Sequence, residues 1–112
     1  MRLENMTLPS GRRLEFNCDY RDITCRLVSS LGGYIGEGKG WSRIDALWMV
    51  YFTLADQYCI GFAPFTAEQI AALENRHDRY RAYILNELWE LHNDAKTGIP
   101  KPSKSDVWGV VR

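Results

Sequence analysis

At 112 residues the chain is sized for one domain with a single core, and its 46% hydrophobic and 25% charged content is that of an ordinary folded protein, which excludes extended disorder. Acids and bases balance at 14 each, with seven of both up to residue 56 and seven of both after it, so neither half is the basic arm that bulk nucleic-acid affinity requires. Three cysteines at irregular spacing (Cys18, Cys25, Cys59), behind an N-terminus that does not read as a secretory leader, exclude a disulfide framework and point to a reducing, cytoplasmic compartment.

Residues Leu3 to Asn17 predict a β-hairpin: Leu3, Met6 and Leu8 lead into Pro9-Ser10-Gly11, and Leu14 and Phe16 follow. From Asp19 to Leu31 the spacing of Tyr20, Ile23, Leu27 and Leu31 predicts a first helix, capped by Asp19 and Asp22 and ended by Gly32 and Gly33. Five glycines in Gly32–Gly40 predict a loop of high backbone freedom. Gly33 to Lys39 also matches G-x-x-x-x-G-K, but Gly40 stands where a phosphate loop needs Ser or Thr, and the preceding element reads as a helix, so the motif is read as a connector.

Trp41 to Ile60 is the most apolar stretch and predicts a central helix, with Ser42 as N-cap and Asp45 three residues on. Asp45, Asp56 and Gln57 argue against a bilayer span. Thr66, Gln69 and the Phe65/Ile70 pair predict the start of a third helix running to Lys96. At about 45 Å it is longer than the domain needs, so it either kinks or projects. Its expected apolar stripe includes Ile70, Leu73, His77, Tyr80, Ile84, Leu88 and Leu91, and the second half reads as the better buried. The expected fold is therefore α+β, an N-terminal hairpin plus three helices around a central apolar helix, with residues 1–98 as one domain. Residues 99–112 form a Pro/Lys spacer and an aromatic tail, in which Val107–Val111 either adds a third strand or reaches outward.

No C-x-x-C pair is present, and Glu74-x-x-His77 lacks the second copy that a di-iron bundle needs, so neither metal nor cofactor is expected. Both histidines, His77 and His92, fall on one predicted helix with no partner in sequence, so no enzyme is expected. Four tryptophans and six tyrosines exceed what one small core hides, and Trp, Tyr and Arg dominate interface energetics. The expected function is that of an accessory protein, chaperone or inhibitor occluding a partner protein, a type frequently encoded by viruses and mobile elements. Its expected surface is Arg76, Arg79, Tyr80 and Tyr83 with Lys101, Lys104 and Trp108. Nucleic acid bound through the same basic and aromatic face is the alternative. No membrane partner is expected, and an over-long amphipathic helix favours a homodimer.

Overall fold

The computed structural model describes residues 2–97, with side-chain environments for residues 3–91. Four antiparallel strands, β1 (Arg2–Thr7), β2 (Arg13–Cys18), β3 (Ile23–Val28) and β4 (Tyr34–Gly40), form a sheet in sequential order. Three helices follow, α1 (Arg43–Tyr58), α2 (Ala67–Ala71) and α3 (Arg76–Thr97). The class is α+β. The hairpin expected over Leu3–Asn17 is the first pair of the sheet, in register from Arg2 opposite Cys18 to Thr7 opposite Arg13.

Two expectations are corrected. The helix expected over Asp19–Leu31 is β3 with its flanking turns. Cys25 and Leu27 alternate into the core while Arg26 points to solvent, and Tyr20 and Leu31, which completed the helical spacing, are exposed in turns. The loop expected over Gly32–Gly40 is largely β4, paired to β3 from Ile23 opposite Gly40, with one register slip at Leu27/Val28 that leaves Ile35 as the extra residue of a bulge. Turn residues at Ser29 to Gly33 close the hairpin, with Gly32 at φ 90°.

Gly36, Gly38 and Gly40 all face α1, and the reason is close approach. A Cβ on Gly38 would lie 2.5 Å from the Val50 backbone nitrogen, and one on Gly40 would lie 2.6 Å from that of Ala46. One on Gly36 would strike the Leu54 side chain at 2.7 Å. Two strand residues advance about 6.6 Å and four helix residues about 6.0 Å, so the period-two glycines mesh with Leu54, Val50 and Ala46 one turn apart.

The stretch expected as the central helix is α1. Ser42 caps it by accepting from the Asp45 amide at 3.1 Å, and Cys59 ends it in the left-handed region at φ 58°. Ala46, Leu47, Val50, Tyr51, Leu54 and Ala55 are buried. They share one core with Leu8, Leu14, Phe16, Cys25 and Leu27 from the sheet and Ile84, Leu85 and Leu88 from α3. The sheet and α3 cover two sides of α1. Met49 and Phe52 on its remaining side are half in solvent, so the helix is not enclosed all round.

The single long helix expected from Thr66 is two helices. Thr66 and Gln69 do form the reciprocal capping box of α2, but Asn75 starts a new helix by accepting from the His77 amide at 2.8 Å. The Arg79 guanidinium holds the intervening break by donating to the carbonyls of Leu73 and Glu74. Ala82, Ile84, Leu85 and Leu88 make the second half of the stretch the buried half, whereas His77, expected on the buried stripe, is exposed. The Val107–Val111 strand expected in the tail lies outside the described residues.

Candidate functional site

Two surfaces collect side chains suited to recognition. The first runs along α1, where Asp45, Met49, Phe52 and Asp56 are spaced four, three and four residues apart and therefore form one stripe. Met49 and Phe52 are 46% and 47% exposed, and Phe62, from the loop after the helix, is 64% exposed beside them. Beneath lies an aromatic floor. Trp48 stacks on Phe52 at 5.0 Å, meets Trp89 of α3 at 5.7 Å and Tyr51 edge-on at 5.3 Å, and Phe52 and Phe62 are 6.3 Å apart.

The floor is fixed by polar ties. The Ala63 amide donates to the Tyr51 hydroxyl at 2.7 Å, and Asn86 of α3 clasps Phe65 from both sides, accepting from its amide at 2.7 Å and donating to its carbonyl at 3.0 Å. The loop carrying Phe62 is thereby bound to both helices. Burial pushes the Tyr51 hydroxyl up from its usual range, partly offset by the Ala63 amide, so it stays protonated at neutral pH.

The second surface is an open cleft of about 330 Å³ where the β3–β4 turn meets the end of α1 and the first turns of α3. It is lined by Ser29, Gly33, Tyr34, Ile35, Tyr58, His77, Tyr80 and Arg81. Each tyrosine carries an arginine over its ring: Arg26 over Tyr34 at 5.9 Å, Arg81 over Tyr58 at 5.0 Å and Arg12 over Tyr80 at 5.1 Å. Burial raises the Tyr58 hydroxyl above its usual range, against the lowering pull of Arg81.

The residues expected to bind a partner are dispersed by this geometry. Tyr80 lines the cleft, and Arg76 is exposed in the turn of α3 that borders it. Arg79 is half-buried and committed to the Leu73 and Glu74 carbonyls, so it is a structural tie. Tyr83, 57% exposed, lines a different cleft between α3 and the β1–β2 turn, where Glu87 accepts from the Ser10 amide and hydroxyl and from Arg12. Lys101, Lys104 and Trp108 lie outside the described residues. The α1 stripe was missed because its apolar members were assigned to the core; the signal was the pair of aspartates at its ends.

Among the described residues no group of three or more His, Cys, Asp or Glu is placed to hold a metal. Cys25 is fully buried, which raises its thiol well above the usual range and leaves it inert. Cys18, itself half-buried, lies in a polar knot around buried Glu4, where the Arg43 guanidinium donates to Glu4 Oε1 and to Cys18 Sγ, the latter at 3.3 Å. Glu4 points inward from the edge strand β1, an arrangement that discourages a further strand from pairing there. No helix among the described residues is long and apolar enough to cross a membrane. Comparison with protein-family models, with curated proteins and with solved structures finds no match to this chain.

Proposed function

We propose that this protein is a stoichiometric protein-binding factor, an accessory protein, chaperone or inhibitor without catalysis of its own, and that it occludes a partner through the α1 stripe. The observation that carries this reading is the solvent exposure of Met49, Phe52 and Phe62 over a floor of Trp48 and Trp89. Large apolar side chains held half out of water by a rigid support resemble the centre of an interface, where aromatic residues and Met are enriched. Asp45 and Asp56 at the two ends of the stripe add charge that suits a partner segment with an apolar middle and basic flanks.

Affinity capture with the full chain tests this against the double variant Phe52→Ser, Phe62→Ser. The wild-type chain is expected to retain a partner protein at a fixed molar ratio, and the double variant to lose it while keeping its melting temperature within a few degrees. Equal retention by both overturns the reading. If the retained species is a second copy of the chain, shown by a doubled solution mass that the variant abolishes, the stripe is a homodimer interface and not an occluding one.

A further inference from the structure

We infer that the tyrosine–arginine cleft is a second binding site, separate from the α1 stripe, and that it takes a nucleotide, either free or at the end of a single strand. Tyr34, Tyr58 and Tyr80 reach it from three different elements, β4, α1 and α3, and each has a guanidinium at 5.0 to 5.9 Å from its ring centre. Tyr34 is 63% exposed and Tyr80 is 45% exposed, so each ring keeps open surface beyond its arginine. A planar ring can stack there without regard to base identity, because every base has a π-face.

The cationic part of the site is equally specific in composition. Arg81 lines the cleft, and no carboxylate does. Arg81 is the arginine of the lining, with Asp78 at 3.6 Å outside it; Arg26 and Arg12 reach over their rings from outside the lining and pair with Glu37 at 3.6 Å and Glu87 at 2.9 Å. The cleft lies against the first turns of α3, a 22-residue helix whose N-terminal end is the positive one, and Arg76 directly precedes His77 of the lining. Arginine forks match phosphate geometry, and Arg81 sets one beside the rings of Tyr34, Tyr58 and Tyr80.

An acidic peptide would use Arg81 and leave three rings idle, and an apolar ligand would use the rings and leave Arg81 without a role. A nucleotide uses both. The cleft, at about 330 Å³, lies at the small end of the range for ligand pockets, which suits one nucleotide.

The test is calorimetric titration of the full chain with adenosine monophosphate, with an eight-residue oligothymidylate and, as a comparison, with O-phosphotyrosine. Wild-type protein is expected to bind the first two, and Tyr80→Ala and Tyr34→Ala each to weaken binding roughly 5- to 150-fold, the loss expected from removing one stacked base contact. Arg81→Gln is expected to flatten the salt dependence. Oligothymidylate binding far more tightly than the mononucleotide identifies a strand end as the source, and comparable affinities identify a free nucleotide. Absence of binding at millimolar nucleotide, equal binding by both tyrosine variants, or equal binding of O-phosphotyrosine overturns the proposal. Tyr34 is the more exposed of the two rings and starts its strand, so its variant keeps the test decisive should Tyr80→Ala fail to fold.

Discussion

The two sides of α1 are opposites. Toward α1 the middle and end of β4 present Gly36, Gly38 and Gly40, where the helix approaches until a methyl group would not fit, and only Ile35 at the bulge adds a side chain packed against the core. On the solvent side Trp48 stacks on Phe52, which stays 47% exposed, and Phe62 beside it stays 64% exposed. A helix that needed only to be buried would be served by ordinary alternation on the strand and polar residues outside. The first side therefore spends its composition on position and the second on exposure, and the difference separates what holds the protein together from what it offers to others.

The sharpest way to break the first side is through Arg43, which ties the start of α1 to Glu4 across the sheet. Arg43→Met strands a carboxylate with no solvent exposure, and chemical denaturation is expected to show a loss of about 3–5 kcal/mol. Restoring stability with Glu4→Gln in the same chain would show that the uncompensated charge, and not lost packing, was responsible.

Next comes the glycine stripe. Gly38→Ala puts a Cβ among backbone atoms of Met49 and Val50, which have nowhere to go, and is expected to cost up to about 3 kcal/mol. Gly36→Ala meets the movable tip of Leu54 and should cost about 1 kcal/mol. Equal costs for the two would mean that α1 is not pressed onto β4 as described.

The smallest expected change is a gain. Cys59 occupies a left-handed cap with a side chain that disfavours it, so Cys59→Gly is expected to stabilise the protein by about 1 kcal/mol in the same denaturation assay.

Much of the local punctuation was legible in the residues. Ser42 with Asp45 and Thr66 with Gln69 mark real helix starts because capping is settled within four residues. The middle of the sheet was not legible, for a physical reason. Tyr20, Ile23, Leu27 and Leu31 fit a helical period, while Ile23, Cys25 and Leu27 fit a strand, and only pairing to β2 on one side and β4 on the other decides between them. Glycine biased the reading of β4 toward a loop, although Gly36-x-Gly38-x-Gly40 has the period of a strand. The residues of the candidate site were partly legible: Tyr80, expected on a recognition surface, lines the cleft, but Tyr34, Tyr58 and the arginines above them come together only through the tertiary fold.

Two residues, Trp41 and Ser42, separate β4 from α1, and the mesh of glycines with Ala46, Val50 and Leu54 closes over that short span. The contact of Gly40 with Ala46 is local and carries little loop-closure entropy, and those of Gly38 with Val50 and Gly36 with Leu54 extend it outward along the same unit. The strand–turn–helix unit is thus suited to act as the nucleus on which the first hairpin and α3 condense, and the chain from Tyr34 to Tyr58 can be regarded as its kinetic seed.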